Sequence, residues 1–217
     1  MKVLFINDST SNPNWGDRAS ATALKMMVKE AGGDITSIIT EENLATSRFT
    51  PQIYEYQTVP QSTGAKERIK LFIPPIALTV KHKFETLWKP SDETVIPTRW
   101  NDFASCARKA LASPMLKDNL LRMLEDCDLV VVHGDGCMVG NGIIPRTVLF
   151  ISYLAKKHFR KSVIITNHTA DFSNPDLLMS AKNVYPLYDD IVFRDIISVE
   201  KCRNFCNGRY AADSAFL

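Results

Sequence analysis

The chain is poor in what marks the commoner nucleotide-binding proteins. Its 217 residues include only nine glycines, and none builds the G-x-G-x-x-G turn that lets a backbone approach a dinucleotide pyrophosphate. The turn after the first apolar run, NDSTSNPNWGD, holds Gly16 alone, so the nicotinamide and flavin fingerprint is excluded. A Gly-Lys-Thr phosphate loop is also missing. Cysteine is sparse: Cys106, Cys127, Cys137, Cys202 and Cys206 are spaced neither as a secreted disulfide framework nor as a zinc site. A reducing cytosol is the simpler setting. No apolar run approaches the roughly 20 residues needed to cross a bilayer, and MKVLFIND reads as a first strand rather than a signal peptide. Neither sign of charge dominates: 26 basic against 24 acidic residues leave a formal charge of +2, which calls for no nucleic-acid partner.

What is present is an alternation of short apolar runs and amphipathic stretches. Residues 2–6 form a strand, and a helix opened by Asp17 or a neighbour follows, with Ala23, Leu24, Met27 and Val28 on one face. Gly32 and Gly33 stop it, and residues 35–39 supply a second strand. The unit is a right-handed β-α-β crossover. Residues 46–98 break the pattern, holding six of the 11 prolines; they read as an irregular insertion. Helices over 100–112 and 115–126 precede a strand at 129–132. Further strands are expected at 162–166, 191–193 and 209–212, and helices at 148–157, 177–183 and 196–205. The fold class is α/β: a Rossmann-like, doubly wound, mainly parallel sheet in three α/β/α layers.

The most informative stretch is DLVVVHGDG, residues 128–136, where a buried apolar run ends in two glycines around a carboxylate. In an open parallel sheet, ligands bind beyond the carboxyl ends of the strands. Polar residues recur at those ends: Asn7 and Asp8, His133, Asn167 and His168, Arg194 and Asp195, and Asp213. Aspartates 17, 135, 171 and 213 show no metal-ligand spacing, so no metal is expected.

Four of these segments, in order, resemble the polysaccharide pyruvyl transferase family: Asn14, Trp15, Gly16 and Asp17; the glycine loop His133 to Gly136; Phe193, Arg194 and Asp195 with Ser198; and the terminal Ala212 to Phe216. The chain departs from the family pattern in Asp135 at the centre of the glycine loop and in Ser214, where proline is commoner. The resemblance implies two Rossmann-like domains with a site between them, of which residues 1–217 would be the amino-terminal one. It also implies transfer of pyruvyl from phosphoenolpyruvate to sugar hydroxyls, giving a ketal and releasing phosphate, with no cofactor. On that chemistry His168 is the candidate general acid and Asp17 the group that orients or deprotonates an acceptor hydroxyl. Arg194, Arg18 and the amides of the helix start, with Asn14 and Gly16, are candidates for an anionic donor. Gly134 and Gly136 would allow close backbone approach, Asp135 would bind sugar hydroxyls, and Asn167 completes the candidate set. The expected partner is a glycan or lipid-linked oligosaccharide, encountered in the cytoplasm or at the inner membrane face. LFIPPIALTV, flanked by lysines and an arginine across residues 66–83, is a candidate for contact with anionic lipid. Two other readings fit the same scaffold: a nucleotide-sugar glycosyltransferase, and a noncatalytic glycan-binding module.

Overall fold

The computed structural model describes residues 1–49 and 95–216. The elements run β1 (Lys2–Asp8), α1 (Trp15–Glu30), β2 (Asp34–Thr40), α2 (Glu41–Thr46) and α3 (Phe103–Ala112). A helical run follows, α4, made of Pro114–Leu116, a π-helical turn Lys117–Leu121 and Arg122–Asp126. Then come β3 (Leu129–Met138), α5 (Ile143–Lys157), β4 (Ser162–Ala170), α6 (Pro175–Val184), β5 (Asp190–Phe193), α7 (Ile196–Cys202) and β6 (Arg209–Tyr210). A 3-10 turn, Ser214–Phe216, follows the last strand. The sheet order is β2-β1-β3-β4-β5-β6 and every pairing is parallel. The chain therefore has the doubly wound Rossmann-like architecture expected of its sequence.

Strand alternation assigns the side chains to two layers. Leu4, Ile6, Val130, Val132, Val163 and Ile165 join the larger core with α2 to α6. Val3, Phe5 and Val131 face the other way, onto Leu24 and Val28 of α1. Near-continuous apolar runs are what a parallel sheet covered on both sides requires, and each fully buried Val, Leu, Ile or Phe contributes about 1.5–3 kcal/mol. The α1 side is thin: α1 packs there with the Ser214–Phe216 turn.

Helix starts follow local chemistry. Asn14, not Asp17, caps α1, its side chain accepting from the Gly16 amide at 3.0 Å. Asp17 stands in the first turn, where a carboxylate complements the helix dipole. Asp195 caps α7 by accepting from the Ser198 amide at 2.7 Å.

Two strands run longer than the apolar pattern indicated. β3 continues through His133, Gly134, Asp135 and Gly136, which had read as a loop, and β4 continues through Asn167 and His168, which had read as its end. Their pairing is the reason: His133 opposes Thr166, Asp135 opposes His168 and Met138 opposes Ala170. A polar residue reads as a strand terminus in the sequence, whereas backbone pairing continues wherever a neighbour supplies partners. Gly134 is required there, because a Cβ on it would stand 2.5 Å from the His168 Cβ. A Cβ on Gly136 meets nothing within 4 Å.

Urea unfolding should separate the two glycines. Gly134→Ala is expected to lose about 1–3 kcal/mol by overpacking, whereas Gly136→Ala should stay within about 0.5 kcal/mol of the parent.

Candidate active site

β1 leads to β2 on one side while β3 adds on the other, so the β1/β3 boundary is the point where the winding direction reverses. Crevices in doubly wound sheets open at that point. Here a cavity of about 560 Å³ lies over it. Its lining comes from several element ends: Asn7 near the end of β1 and Ser9 just after it, Asp17 on α1, Glu41 after β2, Asp135 and Gly136 on β3, and Arg194 after β5. Gly142 to Pro145, at the start of α5, add a mainly apolar wall. α5 has no side-chain cap, so its first amides are free of a local acceptor.

Acceptors dominate the polar lining. Asp17, Glu41 and Asp135 bring three carboxylates, against the guanidinium of Arg194. Arg194 is itself engaged: Nη1 donates to Asp135 Oδ1 at 2.6 Å and to Asp213 Oδ2 at 3.2 Å, and Nε donates to Thr169 Oγ1 at 2.7 Å. Burial and the nearby Asp135 and Glu41 hold the Asp17 carboxyl above its ordinary range. Asn7 adds an acceptor, since its Nδ2 donates to the His133 carbonyl at 2.8 Å while its buried Oδ1 has no partner.

Beneath the cavity lies a buried polar layer. Asn7, Asp135 and Asn167, on three adjacent strands, all have positive φ, at 67°, 37° and 54°. Asparagine and aspartate tolerate that region best after glycine, and such backbone strain concentrates at functional sites. His133 Nδ1 lies 3.3 Å from the Asn7 carbonyl, and its Nε2 lies 3.2 Å from Ser20 Oγ and 3.4 Å from Asn167 Nδ2.

The structure brings together Asp17, Asp135, Gly136 and Arg194 from the residues singled out in the sequence. It sets the others apart. His168, expected as the general acid, is fully buried; its Nε2 hydrogen-bonds the Tyr185 hydroxyl and its ring stacks on Phe193 at 5.2 Å. Burial, aided by Arg194, lowers its pKa to about 3, so it is neutral and out of reach of a ligand in the cavity. Arg18 donates to the carbonyls of Asn12 and Pro13 at 3.0 and 2.9 Å, bracing the turn before α1. Asn14 and Gly16 form the helix cap, and Gly134 packs on His168. Asn167 is buried, accepting from the Ser214 amide at 3.0 Å. The sequence reading missed Ser9, Glu41 and the start of α5 as wall residues. Glu41 follows a strand, which was a usable signal; α5 begins five residues before its clear periodicity because Gly142 and Pro145 obscure the start. The lipid-contact segment, 66–83, lies outside the described residues.

A doubly wound α/β domain with a carboxylate-lined crevice at its winding reversal has its cavity where domains of this architecture bind their ligands. The family model of the polysaccharide pyruvyl transferases matches residues 14–217, and the chain belongs to that family. Comparisons with curated proteins and with solved structures return no match. Among the described residues no helix is long and apolar enough to cross a membrane, and no group of three or more His, Cys, Asp or Glu residues could hold a metal ion.

The two buried histidines set the pH dependence of stability. Burial lowers both His133 and His168, the latter from 6.5 to about 3. The unfolded chain then binds more protons below about pH 6.5, so stability is full above that pH and is lost as pH falls toward the folded value. Urea unfolding should show a loss of about 1.4 kcal/mol per pH unit from His168 between about pH 6 and 5, with His133 adding in the same direction. His168→Phe should flatten the slope.

Proposed function

We propose that this cavity is the acceptor side of a pyruvyl transferase: it binds a vicinal or neighbouring pair of sugar hydroxyls that attack C2 of phosphoenolpyruvate. The observation that carries this reading is the excess of acceptors in the lining. Asp17, Glu41 and Asp135 put three carboxylates in the lining; Arg194 satisfies one oxygen of Asp135 and Asn12 one oxygen of Glu41, the remaining oxygens are acceptors, and sugar hydroxyls are donors. The carboxylate side of the cavity disfavours the phosphate of a donor, because Arg194 is already paired with Asp135 and Asp213.

Asp17 is the group assigned to take the proton of the attacking hydroxyl. Its carboxyl, held above the ordinary range, is a stronger base than a solvated one. The reaction balances as follows. A proton adds to C3 of the enolpyruvyl group, one hydroxyl oxygen bonds to C2, and the C2–O bond to phosphate breaks. The second hydroxyl then closes the ketal and releases its proton. The pyruvyl carboxylate suits the uncapped amides at the start of α5. The acceptor is a glycan, free or lipid-linked, and the setting is the cytoplasm or the inner face of the membrane.

The test is phosphate release and glycan mass on mixing the chain, in its longest natural form, with phosphoenolpyruvate and a panel of glycans. Expected is a mass gain of one pyruvate ketal per acceptor, with kcat/KM falling about 100-fold or more in Asp17→Asn. Glu41→Gln should chiefly raise the KM for the acceptor. Sugar transfer from a nucleotide-sugar, with none from phosphoenolpyruvate, would move the assignment to a glycosyltransferase.

A further inference from the structure

Two contacts of His133, with the Asn7 carbonyl and with the Asn167 amide, place its proton. The Asn7 carbonyl only accepts, so His133 Nδ1, 3.3 Å away, carries the proton. On the other side, the Asn167 amide cannot turn round, because its Oδ1 accepts from the Ser214 backbone N–H at 3.0 Å. Its Nδ2 is therefore the atom aimed at His133 Nε2, at 3.4 Å, and Nε2 must be bare. An imidazolium there would set two N–H donors against one another.

Each partner of this ring leads to a different part of the cavity. Asn7, in the left-handed region at φ 67°, lines the cavity and also donates from Nδ2 to the His133 carbonyl at 2.8 Å. Ser20 Oγ stands between two acceptors, the bare Nε2 at 3.2 Å and the Asp17 carbonyl at 3.1 Å, and its single hydroxyl proton serves one of them at a time; Ser9 Oγ donates to the same carbonyl at 2.9 Å. Asn167 and Ser20 both hold Ser214, through its amide and its hydroxyl at 3.0 and 3.2 Å. The next residue back, Asp213, pairs with Arg194. One buried ring thus joins β1, β3, β4, α1 and the turn after β6.

We propose that His133 is the positioning residue of this cavity: as a neutral imidazole with its proton on Nδ1, it sets Asn7 and, through Ser20, the first turn of α1 that carries Asp17. The proposal rests on the acceptor-side reading only for its effect on turnover. The charged groups acting on the ring are Asp135 on its own strand, Asp8 of β1 and Arg194 beyond β5. α1 and β4 present it with the neutral Ser20 and Asn167.

The test joins two titrations on the 217-residue chain with one kinetic measurement on its longest natural form. Long-range 1H–15N correlation spectra read the tautomer of His133, and the Cγ resonance of Asp17 reads its ionisation. The expected result is a protonated Nδ1 and a bare Nε2 throughout neutral pH. In His133→Phe the Asp17 midpoint should drop by about half a pH unit or more, because a displaced first turn relaxes its approach to Asp135. Ser20→Ala, which deletes one hydroxyl and leaves the ring in place, should move it the same way and serves where the phenylalanine variant does not fold. In the transfer assay either variant should lower kcat by about 100-fold while the acceptor KM changes by less than about threefold. A proton found on Nε2, or an Asp17 midpoint identical in parent and variants, overturns the proposal. Absence of transfer by the longest natural form would count against the acceptor-side reading instead, and the two titrations would still decide the role of His133.

Discussion

A buried imidazole that must stay neutral is the constraint on which the rest of the site depends. His133 lies at the level where three parallel strands stop being uniform, and each of those strands bends through one left-handed residue: Asn7, Asp135 and Asn167. Left-handed backbone in a strand breaks regular pairing and exposes polar groups that need new partners. The side chains of Asn7, Asn167 and His133 supply them to one another, to the His133 carbonyl and to the Ser214 amide. The cavity floor is therefore rigid without being apolar. Such a buried polar network specifies geometry, at high cost if a member is lost, and here one member, Asn7 Oδ1, stays without a partner.

Above that floor the electrostatics are uneven. Arg194 gives its guanidinium to Asp135, Asp213 and Thr169, and so braces β3, β4 and the segment after β6 against one another. Asp17 and Glu41 are left facing the cavity with no cation of comparable proximity in its lining. An arginine seen in a sequence near other motif residues invites an anion-binding role. The geometry instead makes it a tie between carboxylates.

The architecture was legible in the sequence to within a few residues at most element ends, because its signals are local. Val3 to Ile6, Val130 to Val132 and Val163 to Ile165 are apolar runs that only a sheet covered on both faces can bury. Amphipathic spacing marked α1, α3 and α6 for the same reason. The strand ends and site residues were harder. His133 and His168 look alike in the sequence, each a histidine beyond an apolar run, and both are fully buried. They differ in partners: one ring is bonded to residues bordering the cavity, the other to Tyr185 within the core. The two glycines flanking Asp135 also looked equivalent, yet only Gly134 is held by contact with a neighbouring strand.

The sequence by itself determined the order of elements, the parallel α/β class and the end of the sheet at which chemistry collects, because hydrophobic period and chain connectivity leave few alternatives. Family membership followed from the same short segments, each of which meets the sheet near a strand end. Which of those polar residues reach a ligand was decided by the tertiary structure alone. Reach depends on partners distant in the chain: Ser214 holding Asn167, Asp213 and Asp135 sharing Arg194, and Tyr185 holding His168. Hydrogen bonding and burial between residues up to 194 positions apart are not properties of any local pattern, and at this site they separate the residues that face the cavity from those that hold it in shape.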